Sequence, residues 1–211
     1  VPAAKRGMVM GSLTATMGVA SIIVPFATSG LRNVANDGGA WREIWLIEMV
    51  AASAILAVLY MVLRDDISPK LPLGAGIKAI TRLQGWKTAV FFYMAFAFVA
   101  SSWFQFFGLS LENDHNMSRE FTTHMWALMG IGGVVGALTF GRLSDRLGRP
   151  RTMCIVTAAG ATTCLLILVG EPWAAALAAA IYGTSAMAVP SLTATFVRDQ
   201  VDEHDFTAVF G

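Results

Sequence analysis

Charge is scarce in this sequence. Of its 211 residues only 14% are Asp, Glu, Lys or Arg, whereas 55% are hydrophobic and the mean hydropathy is +0.61. Ordinary soluble domains carry about 25% charged and roughly 45–50% apolar residues, so this chain is built for lipid. Histidine is almost as rare. His115, His124 and His204 all lie in loops or at the ends of apolar runs. None is at a depth to act as base for Ser185 in "GTSAM", the pairing an intramembrane serine protease needs. No His, Cys or Glu cluster has metal-ligand spacing, and no phosphate-binding loop is present. No catalytic residue, metal or cofactor is therefore expected, and no nucleic-acid partner. The two cysteines, Cys154 and Cys164, share one apolar run. Ten residues at ~1.5 Å each set them roughly 15 Å apart, beyond the ~7 Å a disulfide spans. The opening "VPAAKRGMVMG" lacks an initiator Met and a signal-peptide pattern, and the closing "FTAVFG" reads as the start of another apolar segment. An internal piece of a longer membrane protein is expected.

What is abundant is long apolar stretches. Low-charge runs fall at 8–31, 44–63, 88–111, 122–140, 153–169 and 173–197, each close to the ~20 residues that carry a helix across a ~30 Å hydrocarbon core. A barrel would alternate apolar and polar residues in ~10-residue segments; "ASAILAVLYMVL" does not. The fold class is all-α, a polytopic transmembrane helical bundle with six spans. If the first span starts inside, all but Arg32, Arg42 and Arg119 of the 15 Lys and Arg are cytoplasmic, a strong positive-inside bias. The 141–151 loop is then cytoplasmic, in an inner or plasma membrane.

That loop, "GRLSDRLGRPR", says more than its charge. Gly141, Leu143, Asp145, Arg146, Gly148 and Arg149 stand in a short loop between a Gly-rich span and the next apolar run. The spacing resembles the signature loop of the major facilitator superfamily, which joins the second and third helices of each half. It departs at Pro150, where the family usually has a basic residue, with Arg151 next to it. On this resemblance "KRGMVMG" leads into the fifth helix, "AWREIW" into the sixth, and "RDDISPKLPLGAGIKAITRLQGW" joins the halves. Residues 1–63 would be the last two helices of the N-terminal bundle and 64–86 the central cytoplasmic linker, with a short amphipathic helix in "GAGIKAITRL" that turns Ile77 and Ile80 toward the membrane. Residues 87–211 would be the seventh to tenth helices and the start of the eleventh.

The resemblance implies a secondary active transporter of a small solute, working by rocker-switch alternating access between two bundles. Its partners would be a small-molecule substrate, with proton coupling as an option, the lipid bilayer and the remaining helices of the same protein. Gly141, Asp145, Arg146, Gly148 and Arg149 would form a gating motif. Asp145 would bond the free backbone N–H groups at the start of the first span, near Arg6 to Met10, and Arg146 or Arg149 would reach Asp199 or Asp202. Polar groups at membrane depth mark pathways, which points to Tyr93, Gln105 and Tyr182. Glu48 and His124 are the ionisable groups that proton coupling would use. Gly11 or Ala15 of the first span is expected against Gly133 or Gly136, because small residues let membrane helices approach closely. Pro25 and Pro190 should kink their spans. Two rival readings remain: a receptor or scaffold that keeps the fold without transporting, and an intramembrane enzyme.

Overall fold

The computed structural model describes residues 6–34, 40–62, 80–82 and 84–200, which are helical with no strand among them. Helices α1 (Arg6–Val34) and α2 (Ala40–Val62) come first. Next is α3 (Trp86–Leu109), which ends in one π-helical turn (Ser110–Asp114). Then follow α4 (Arg119–Leu147), α5 (Arg149–Ile167), α6 (Pro172–Ala186) and α7 (Ala188–Arg198). In hydrocarbon every backbone N–H and C=O must be satisfied within the segment, and a helix does so. Helices stand at all six expected places, the sixth being α6 and α7 in succession. Five segments are long and apolar enough to cross a bilayer, and α1 adds the apolar stretch Ala15–Gly30. The expected linker around Ile77, Asp202 and the expected start of a further span lie outside the described residues.

Local chemistry sets the boundaries. The Ser118 hydroxyl accepts the Phe121 N–H at 3.2 Å and caps α4. Gly148, at φ 87°, closes α4 and opens α5, where Pro150 takes an early position that lacks nothing by having no N–H. The sixth span breaks at Met187, three residues ahead of Pro190, whose ring and missing donor bar a continuous ladder there.

Helix α4 lies at the centre, gripped on two sides through its glycines. Toward α1, a Cβ on Gly18 would fall 2.7 Å from the Val134 nitrogen, and one on Gly130 would fall 2.7 Å from the Gly18 oxygen. Toward α6, Gly132 meets the Ala180 carbonyl, Gly136 meets Thr184, and Gly183 meets the Met129 carbonyl. The first span thus does lie on the Gly-rich fourth. Gly18, with Gly130 and Gly133, makes the close contact, Ala15 is buried one turn before it, and the surroundings of Gly11 lie outside those described, while Gly136 meets Thr184 of α6. Helical geometry lets α4 do both: neighbouring glycines point about 100° apart, given 3.6 residues per turn, so one run of small residues serves two partners.

Aromatic and sulfur side chains fill the layer between α3, α4 and α6: Trp103, Phe107, Met125, Met129 and Tyr182 are all buried. By contrast α2 is exposed along its length and packs chiefly on α1. Trp45 is 66% and Tyr60 75% exposed, a surface that only lipid or further helices would cover favourably.

Candidate functional site

Two places concentrate polar groups. The first is the 141–151 segment, expected as a loop but helical on both sides of Gly148, the one residue at which the chain turns. Because Gly148 ends α4 and α5 starts at once, Arg149 sits one turn beyond Asp145 and folds back on it. Its Nη1 donates to Asp145 Oδ1 at 2.6 Å and also contacts the Ser144 hydroxyl, while its Nε donates to Asp199 Oδ2 at 3.1 Å. One guanidinium therefore ties the end of α4 to the end of α7. The Arg149 side chain is 12% exposed, so the cluster is shielded from the water that weakens surface pairs. Gly141 and Ser144 are buried beneath it, and the Ser144 hydroxyl donates to the Gly141 carbonyl at 2.8 Å.

The arrangement matches the expectation for Arg149. Asp145 bonds Arg149, one helical turn on, at the i, i+4 spacing that favours such pairs; its expected contact with the start of α1, residues 6–10, lies outside the contacts described. Arg146 is exposed and makes no ion pair among the described residues. Ser144 was missed at the sequence level. Its signal was available, since Ser144 continues the small residues Gly133, Ala137 and Gly141 at i, i+4 and i, i+3 spacing on one helix face. Ser144→Ala should lower stability by about 1–2 kcal/mol, because a hydrogen bond to a charged group is lost with little change of volume. Thermal unfolding of the purified protein measures this.

The second place is a cleft of about 560 Å³ between α1, α3 and α4 at the opposite end. Ser21, Pro25 and Thr28 of α1 face Phe104 of α3 and Thr122, Thr123 and Trp126 of α4 across it. Pro25 has no N–H, so the Ser21 carbonyl, one turn earlier, is left without its helical donor. The π turn carries Glu112 to the rim, where it pairs with Arg119 at 3.6 Å. Such turns cluster at functional sites. Nearby, Phe26 of α1 meets the His124 ring edge-on at 5.7 Å, and His124 Nδ1 lies 2.7 Å from the Glu120 carbonyl.

The three residues read as a pathway do not converge. Tyr182 is 2% exposed and stacked on Trp103 with centroids 4.0 Å apart. It lines a separate cavity. Tyr93 and Gln105 are exposed and line none of the cavities described. Polarity marked them, but α3 turns its buried face through Trp103 and Phe107 instead. Glu48 is exposed on α2, as befits a peripheral helix. Ser185 donates to the Tyr182 carbonyl at 3.1 Å, and both cysteines are free. No cluster of His, Cys, Asp or Glu suited to a metal occurs among the described residues.

No curated protein and no solved structure gave a significant match. The model of the Major Facilitator Superfamily matches residues 1–211. With its helical spans, uncovered apolar surface and signature loop, this chain belongs to the Major Facilitator Superfamily, a family of multi-pass membrane transporters.

Proposed function

We propose that the protein is a secondary transporter of a small solute that works by alternating access. In this reading α1 and α2 belong to one bundle, residues 64–86 are a cytoplasmic linker, and α3 to α7 belong to the second bundle. The observation that carries the reading is the pairing of an open polar cleft at one end of the α1–α4 contact with a charged tie at the other. A cleft between two bundles and a lock at the far end are the two components that rocking about a central site requires. The Arg149 cluster at the cytoplasmic face, with Gly141, Asp145 and Gly148 shaping it, holds one state, and separating Arg149 from Asp199 releases it. Arg146 supplies exposed positive charge that fixes the loop inside. The cleft is the outer mouth of the pathway, Glu112 and Arg119 mark its rim, and solute passes between α1 and α4. Tyr93 lies on the same side of α3 as Phe104, eleven residues away, or close to three helical turns, and carries that pathway toward the cytoplasm. A proton, if one is coupled, would be taken up at Glu112 or His124.

The test is flux in proteoliposomes with the full-length protein and a panel of sugars, organic anions and drugs. Thr123→Trp should fill the cleft and cut uptake of the transported solute at least about tenfold, with the protein still folded by size-exclusion profile. Full uptake by that variant would show that solute does not pass here. A panel without any transported solute, together with saturable binding, would favour the receptor reading.

A further inference from the structure

A second cavity lies across the aromatic layer from the cleft. It measures about 330 Å³ and is bounded by Phe92, Phe96 and Val99 of α3, Gly160 and Cys164 of α5, and Tyr182 of α6. That volume is at the lower end of the ~300–1,000 Å³ typical of small-molecule sites. No charged residue lines it. Its other hydroxyls are committed to backbone carbonyls: Ser185 to Tyr182 at 3.1 Å and Thr157 to Met153 at 2.8 Å. The Tyr182 hydroxyl is different. It is buried without a hydrogen-bond partner among the described residues, and Cys164 lines the same cavity.

A buried donor without an acceptor is costly in any medium and most costly in hydrocarbon. Tyr182 is ten residues into its span from Pro172, so ~15 Å deep, about the middle of a ~30 Å core. Headgroup carbonyls do not reach that depth, and an acyl chain has no acceptor to give. Phe92, Thr157 and Ala161 also border a groove of about 670 Å³ that runs toward Gly85 and Pro150, which provides a way in from the motif end.

We propose that this cavity is a binding site, distinct from the transport cleft, for an uncharged and largely apolar molecule carrying one hydrogen-bond acceptor, which the Tyr182 hydroxyl meets. Its walls contribute area and exclude charge, and the single donor sets orientation. Trp103 stacks on the back of the Tyr182 ring, and Phe104, which lines the cleft, meets the same ring edge-on at 6.5 Å. An occupant therefore presses on the wall of the cleft without entering it.

Cys164 provides the readout, because it lines the cavity, and Cys154 lines the groove. Full-length protein with Cys164 as its one thiol is reconstituted in nanodiscs, and alkylation by N-ethylmaleimide is timed. The probe is 6-propionyl-2-dimethylaminonaphthalene, which is neutral and has one carbonyl; 2-dimethylaminonaphthalene, without the carbonyl, is its control. A Cys154-only protein reports arrival of the reagent. The expected result is that the carbonyl compound protects Cys164 at about tenfold lower concentration than the control, one neutral hydrogen bond's worth. Tyr182→Phe should erase that difference while both compounds still protect. Equal protection by the two compounds in the unaltered protein would overturn the proposal, leaving a groove that takes any lipid-like molecule. It is equally overturned if Cys164 is not alkylated while Cys154 is, or if neither compound protects. Transport does not enter this measurement, so its outcome is independent of the transport reading.

Discussion

Arg149→Lys should cost the full-length transporter most of its flux, even though the charge is kept. Arg149 uses two different nitrogens at once, Nε on Asp199 and Nη1 on Asp145 and Ser144. A lysine ammonium is a single point that reaches one carboxylate or the other. With Asp145 and Arg149 largely covered and Asp199 more open, the loss is on the order of 2 kcal/mol, below the figure for a fully buried pair. That is about a 30-fold change in a two-state ratio. The protein should drift to the cytoplasm-open form, and Asp199→Asn should move it the same way by less. Alkylation of single cysteines placed near Gly141 follows the drift, and uptake in proteoliposomes follows the cost. Unaltered accessibility with unaltered uptake in Arg149→Lys would reduce the cluster to a topological charge.

Gly183→Val should prevent the bundle from assembling in usable amounts. A Cβ at Gly183 collides with the Met129 backbone, which cannot swing aside as a side chain would. The two helices must separate, and without a hydrophobic drive between them in lipid, close packing is what holds them. Overpacking costs typically 1–3 kcal/mol when side chains can adjust, and a backbone clash lies at or beyond the top of that range. Gly136→Val meets the Thr184 backbone and should behave alike. Gly160→Ala, whose nearest neighbour is 3.9 Å away, and Gly30→Ala, with open space around it, are the matched controls. Detergent-solubilised yield and unfolding temperature separate the two groups. A well-folded Gly183→Val protein would mean that α4 and α6 are not held this tightly.

The spans were legible because hydrocarbon leaves few choices. A run such as 44–63, with one carboxylate in a sea of Leu, Ile, Val and Ala, can only be a helix in lipid or at an apolar interface. The loop was legible because its glycines, Asp145 and Arg149 are spaced by the turn they make. Partner choice was not. Gly132 and Gly136 announce that something comes close, but which helix it is depends on a rotation that no single run encodes. The same limit left the facing of Tyr93 and Gln105 undecided. A polar side chain at membrane depth shows that a partner is needed, not which way α3 faces, and the buried stripe through Trp103 and Phe107 was decided by packing with Tyr182 and Trp126. Pro190 signalled a distortion, and the regular helix is interrupted at Met187, three residues before the ring.

That break has a mechanical meaning. From Met187 the rod α7 runs to Arg198 and presents Asp199 at its tip, some twelve residues or ~18 Å from the pivot. A tilt of about 10° there sweeps the tip by about 3 Å, as much as the 3.1 Å that separates its carboxylate from Arg149. In the proposed rocking, a small bend near Met187 would thus be geared into the making or breaking of that bond. The rod would work as a lever arm whose length converts a small angle into a displacement large enough to pull a carboxylate away from its guanidinium.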